Sequence, residues 1–275
     1  NFHPDFFART KYNAYLCAQN EAITNRKTLY DMNNIPTVTK NLLIINALMF
    51  LATIVAERYG IRIQDFLGLH FVLSDSFNTA QLITYMFMHG GFTHLFFNMF
   101  AVWMFGRILE QVWGPKRFLF YYLACGVGAG LIQELVTGIH YLTCIQGMPE
   151  GAVQVVLDEG GKALARGMNY VDTQMGALNV VVNGCTVGAS GAVYAILLGF
   201  GMLFPNERMY VFPLPFPIKA KFFVAGYAVI ELMSGLANNP ADNVAHFAHL
   251  GGMIFGLLLI IYWRKKNRYD GFYYN

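Results

Sequence analysis

Long apolar runs, separated by short polar or basic breaks, dominate this chain, and each run approaches the length of a membrane-crossing helix. The first extends from about Thr39 to Arg58, with no charge between Asn41 and Ala56. It is short for a crossing of ~20 residues, but Lys40 and Arg58 can snorkel to the two interfaces. The second falls within Gln81 to Arg107, the third runs from about Lys116 to Tyr141, and the fourth from about Val187 to Pro205. The fifth covers about Ile218 to Ala237 and the sixth about Asn243 to Trp263. The pattern predicts an all-α polytopic bundle of six transmembrane helices, a membrane domain over residues 39–263. Residues 59–80 are mixed (Ile61, Ile63, Phe66, Leu67, Phe71, Val72), as in a segment that lies in the interface or re-enters partway. Residues 142–186 make a long third outer loop. Its stretch Gly151 to Arg166 mixes valines and leucines with Asp158, Glu159 and Lys162. That mixture fits a short interfacial helix, but a solvated insertion with no substrate role is the preferred reading.

Charge sharpens this picture. Of the 275 residues 56% are hydrophobic and only 13% charged, about half the ~25% charged fraction of a soluble domain. With six crossings, both termini share a side with the second and fourth loops. Fifteen of the 19 lysines and arginines fall on that side, and Arg58, Arg62, Lys162 and Arg166 on the other. Cytoplasmic loops carry the excess of basic residues, so both termini are expected in the cytoplasm. The net charge of +3 is carried in short clusters between helices, which gives no indication of nucleic acid. Residues 1–38 read as a polar, aromatic cytoplasmic extension without the apolar core of a cleavable signal, and residues 264–275 as a basic tail. Met32-Asn33-Asn34-Ile35-Pro36 makes a natural start, so residues 1–31 are expected to be dispensable or non-native. A compact chain without an organelle-targeting segment suggests a bacterial inner membrane. The four cysteines show no metal-binding spacing. Cys125 reads as a packing residue, while Cys144 and Cys185 share the outer side and their pairing stays open.

Candidate chemistry lies in Gly184-Cys185-Thr186-Val187-Gly188-Ala189-Ser190-Gly191-Ala192-Val193-Tyr194. No acid or base occurs between Asp172 and Glu207, so Ser190 lies at or inside the membrane. The flanking glycines permit close backbone approach and leave amides open to a developing negative charge. A serine alone is a poor nucleophile and needs a base within hydrogen-bond reach. Histidines inside apolar runs are costly and carry a functional reading by default. His94 and Asn98 lie on the second span, His246 and His249 on the sixth. The second, fourth and sixth spans all run inward, which brings Ser190 and these groups to one depth below the outer interface. Gly252 and Gly256 on the sixth span, and Gly191, Ala195 and Gly199 on the fourth, form small-residue faces that let two helices press together. Such contact carries His249 to Ser190, with His246 the rival one turn earlier. Asp242 is about two turns from His249, so no carboxylate is placed to orient the imidazole, and a Ser–His dyad is expected rather than a triad. Tyr194, four residues after Ser190 on the same face, can pack on the imidazole. His94 and Asn98 can donate to an oxyanion together with the Ser190 amide. Glu231, near the outer end of the fifth span, reads as a gate contact or, preferably, a polar residue reaching the interface.

The set His94-x-x-x-Asn98, Gly188-x-Ser190-Gly191-x-x-Tyr194 and His249-x-x-Gly252-x-x-x-Gly256 resembles the rhomboid intramembrane serine proteases over about residues 36–263. The resemblance implies Ser190 as nucleophile and His249 as base, with His94, Asn98 and the Ser190 amide lining the oxyanion hole. It implies Tyr194 packed on the histidine, and a structural glutamate at Glu110 in Gly106-Arg107-Ile108-Leu109-Glu110. The implied reaction is hydrolysis of a peptide bond in or beside a substrate's transmembrane segment, through an acyl-enzyme. Partners would be transmembrane substrates and the lipid bilayer; no cofactor or metal is implied, and the oligomeric state is open. Residues 59–80 hold Arg62 but no tryptophan, a departure from the Trp-Arg pair of many rhomboids, so lipid anchoring there falls to Phe66, Phe71 or Phe77. Two other readings compete. A non-catalytic relative would bind transmembrane clients without cutting them, and such proteins usually lack the serine or histidine that this chain keeps. A channel would show a polar track through the full thickness, whereas these groups cluster near one interface.

Overall fold

The computed structural model describes residues 35–210, 216–237 and 245–269. Most of the expected 1–38 extension, Asp242, the expected start of the sixth span and the end of the 264–275 tail lie outside the described residues. Among the described residues, eight helices of ten residues or more carry the fold: α1 (Thr37–Glu57), α2 (Phe92–Trp113), α3 (Pro115–Cys144), α4 (Glu150–Ala165), α5 (Thr173–Asn183), α6 (Ser190–Leu203), α7 (Ala220–Ala237) and α8 (His246–Tyr269). Five of them, α1, α2, α3, α7 and α8, are long and apolar enough to cross a membrane. Their exposed faces are lined with large apolar residues, Phe92, Phe96, Phe97 and Phe100 on α2 among them, as lipid-facing surface requires. The chain is an integral membrane protein with a six-helix bundle whose sixth member is the short α6.

Helix α6 is shorter than the span expected from Val187 to Pro205. Its 14 residues rise only about 21 Å at ~1.5 Å each, less than a hydrocarbon core of ~30 Å. It can be short because it is central: nine of its residues are buried, including Gly191, Ala195 and Gly199. Most of its surface meets protein rather than lipid. Its first residue, Ser190, therefore begins inside the bundle.

The second span also differs from expectation. Residues 81–87 form two short helical turns, Gln81–Thr84 and Tyr85–Phe87, and α2 starts only at Phe92. Met88 and Gly91 have extended backbones, so the chain leaves one helical direction and begins another across Gly90-Gly91. The middle of α2, Val102–Gly106, is a wide π-helical turn. Farther along, Glu110 is buried and its carboxylate accepts the N–H groups of Val38 (2.9 Å) and Thr39 (2.7 Å) and the Thr39 hydroxyl (2.8 Å). A helix start has N–H groups without intrahelical partners. Here a carboxylate from another helix supplies the acceptor and matches the positive end of the α1 dipole.

The long third loop, read from sequence as a solvated insertion, is largely helical. It folds as the pair α4 and α5, around a second small core of Phe71, Val156, Leu178 and Val182. Asp172 caps α5 by accepting the Met175 N–H at 2.8 Å. Phe71 belongs to this core, packed on Tyr141 at 5.7 Å, and Phe77 packs against the main core. Of the three expected lipid anchors only Phe66 is exposed.

Candidate active site

The segment leading into Ser190 is held from two sides. Strand β1 (Leu69–His70) pairs antiparallel with β2 (Cys185–Thr186). The Gly188 N–H then donates to the Tyr85 carbonyl at 2.9 Å, while the Tyr85 hydroxyl donates to the Gly126 carbonyl of α3 at 2.7 Å. Gly188 has φ +131°, a conformation that side chains rarely adopt. A Cβ there would also lie 2.7 Å from His94 Nε2 and 3.6 Å from Ser190 Oγ. The glycine thus keeps open the space between the α2 imidazole and the serine hydroxyl.

Helices α6 and α8 meet along their glycines. A Cβ at Gly252 would fall 1.9 Å from the Gly191 carbonyl oxygen, and one at Gly256 3.2 Å from Ala195 Cβ and 2.4 Å from the Tyr121 hydroxyl. Gly191 is filled from its other side, where a Cβ would be 2.4 Å from Ala129 Cβ. Successive contacts advance in the same direction on both helices, so α6 and α8 run parallel with their starts side by side. That places His249 on Ser190: Nε2 is 2.8 Å from Oγ. The Tyr194 ring stacks on the His249 ring, centroids 4.2 Å apart and planes 9° from parallel.

The absence of an orienting carboxylate, expected from sequence, is corrected here. Glu231 on α7 is buried, and its Oε2 lies 2.9 Å from His249 Nδ1 and 2.6 Å from His246 Nδ1. Its Oε1 accepts from the Tyr194 hydroxyl. Nor does Glu231 reach for the interface; it points into the bundle. The reason is energetic, since a carboxylate in an apolar helix is costly unless several donors meet it, and here three converge. The signal was present in the sequence as a lone acid in an apolar run, but which donors it would find was not. His246, the rival base, contacts Glu231 and stands edge-on to the His249 ring at 6.3 Å.

On the α2 side, Asn98 is buried and its amide Nδ2 has no acceptor among the described residues. A buried donor without a partner costs about 1–3 kcal/mol, the kind of expense found where a group waits for a ligand. His94, half-buried, is met edge-on by His89 at 5.0 Å. His89, given no role in the sequence reading, is buried just ahead of α2. It backs the His94 ring edge-on.

Glu231, His246 and His249 also bring donor atoms within 4.8 Å of one another, close enough for a divalent cation. Both Nδ1 atoms already face the carboxylate as hydrogen-bond partners, so a cation would have to displace two N–H bonds. Cys144 and Cys185 are both free thiols; burial, followed by the nearby Asp65, raises the pKa of Cys185. Cys125 is fully buried, as a packing residue.

A family model described as the rhomboid domain matches residues 76–266. The chain is 26% identical over 253 residues to an uncharacterised mitochondrial rhomboid protein of Schizosaccharomyces pombe, covering 82% of this chain and 64% of that protein. It is 25% identical over 201 residues to the mitochondrial rhomboid protein 1 of Saccharomyces cerevisiae, covering 70% and 45%. A shorter stretch of 56 residues is 41% identical to the rhomboid protease GluP of Bacillus subtilis, covering 20% and 11%. The chain spans less than two thirds of the length of each of these relatives. Names that point to mitochondria give no support to the expected bacterial inner membrane.

Proposed function

The chain belongs to the rhomboid family, and from that premise we propose that it is a serine endopeptidase cutting membrane proteins within or beside their transmembrane segments. The observation that carries the reading is the 2.8 Å contact between Ser190 Oγ and His249 Nε2 at the partly buried start of α6. His249 Nε2 takes the hydroxyl proton as Oγ forms a bond to the substrate's carbonyl carbon. The tetrahedral adduct collapses, the C–N bond breaks, and the imidazolium returns its proton to the leaving amine. Water, deprotonated by the same nitrogen, then releases the acyl group. The negative charge on the carbonyl oxygen is met by the Ser190 N–H at the positive end of α6 and by the unpartnered Asn98 amide, with His94 bordering the same space. Tyr194 holds the imidazole plane by stacking.

These residues come from helix starts that the basic-residue asymmetry assigns to the face opposite both termini. A transmembrane substrate would unwind there to present an extended peptide bond. Its partners are single-span or polytopic membrane proteins, and the chemistry uses the chain's own side chains.

The test is cleavage in liposomes. Wild type should convert a single-span substrate into two fragments and be labelled at Ser190 by a fluorophosphonate; Ser190→Ala should do neither. Wild type that binds several substrates, cuts none and takes up no label would point instead to a non-catalytic client binder. Asn98→Ala should lower kcat by about 10²–10³, the cost of removing one oxyanion donor, with KM little changed. A rise in KM at constant kcat would mean that Asn98 binds ground-state substrate instead.

A further inference from the structure

We propose that Glu231 is a positioning residue that turns the serine–histidine pair into a Ser190–His249–Glu231 triad. The inference rests on the protease reading above and deepens it. A neutral imidazole carries one proton, and which nitrogen holds it is decided by the neighbour of the other. Oε2 of Glu231, 2.9 Å from His249 Nδ1, is an acceptor. It therefore keeps the proton on Nδ1 and leaves the Nε2 lone pair facing the Ser190 hydroxyl. That tautomer is the one a general base needs. When Nε2 takes the serine proton the ring becomes a cation, and the carboxylate on its far side stabilises it in a site sheltered from water.

The carboxylate is itself held from three directions. His246 Nδ1 reaches the same oxygen at 2.6 Å, and the Tyr194 hydroxyl donates to the other. Tyr194 thus acts twice, its ring stacked on His249 and its hydroxyl on the acid that orients that histidine. Donors on both oxygens restrict rotation of the carboxylate, so its position relative to Nδ1 is set by α6 and α8 together. Its own helix contributes little else: α7 is the least buried of the five long helices, and its buried residues are Ala220, Val224 and Glu231. Ala220 and Val224 lie near the inner end. At the outer end the buried side chain of α7 is Glu231.

Glu231→Gln keeps the shape but replaces an oxygen with an amide that donates. Facing His249 with its NH₂, the amide draws the imidazole proton to Nε2, toward Ser190, where it cannot act as a base. Expected is a fall in kcat of about 10²–10⁴-fold with KM within threefold, and a matching fall in the rate of fluorophosphonate labelling, which does not depend on entry of a transmembrane substrate. Glu231→Asp should recover part of that loss, because the carboxylate remains. Thermal unfolding in detergent is recorded for both variants. A Glu231→Gln enzyme that cuts and labels within threefold of wild type, while Ser190→Ala is dead, overturns the triad and leaves the protease reading intact. So does equal loss in the Gln and Asp variants in step with lowered thermal stability, since that describes a structural tie. Failure of the wild type to cut or label would instead overturn the protease reading itself.

Discussion

Replacing His249 with alanine should lower the rate of peptide-bond cleavage by about 10⁴–10⁶-fold, and adding Ser190→Ala should cost almost nothing more. The two side chains act in a single proton transfer across the 2.8 Å from Oγ to Nε2, so either loss removes the whole step. Their effects are then not additive. His246→Ala leaves that contact in place and takes away one of the three donors to Glu231, so it should retain far more activity than His249→Ala. Single-turnover cleavage of a reconstituted substrate separates these cases. A double variant much slower than either single one would mean that Ser190 and His249 act independently. A dead His246→Ala beside an active His249→Ala would shift the base by one helical turn.

Gly252→Ala should unfold or severely destabilise the bundle, by at least about 3 kcal/mol, the upper range for overpacking. The added carbon would stand 1.9 Å from the Gly191 carbonyl oxygen. Neither partner can move aside, because one is a helix backbone and the other belongs to the residue after the nucleophile. Relief requires α8 to back away from α6, which breaks the small-residue packing and withdraws His249 from Ser190. Gly226→Ala on α7 is the matched control: nothing lies within 4 Å of its added carbon, so its stability should match or slightly exceed wild type. Thermal unfolding of both in the same detergent gives the comparison. Equal midpoints for Gly252→Ala and wild type would show that α8 has room to shift, contrary to the packing described.

Much of this arrangement was legible in the chain. Runs of apolar residues mark membrane helices because lipid imposes its demand locally, residue by residue, and the polar residues inside those runs are too costly to be accidental. Parallel direction in the second, fourth and sixth spans followed from counting crossings. The glycine spacing on the fourth and sixth indicated which faces touch. The fold of residues 142–186 was less legible. Their weak alternation of polar and apolar residues suits a solvated insertion as well as the observed α4 and α5, and only contact with Phe71 and Tyr141 makes it a core. Glu231 shows the same limit most sharply. An acid on an apolar helix can snorkel, pair or line a path, and the outcome depends on how the helix is rotated about its axis and which neighbours stand beside it. Sequence by itself pointed to the apolar spans and to the small-residue faces on which α6 and α8 meet, because those follow from local hydrophobicity and residue spacing. The tertiary structure alone decided that α6 stops short and that His249 faces Glu231, because lateral packing and helix rotation are set by contacts between residues far apart in the chain.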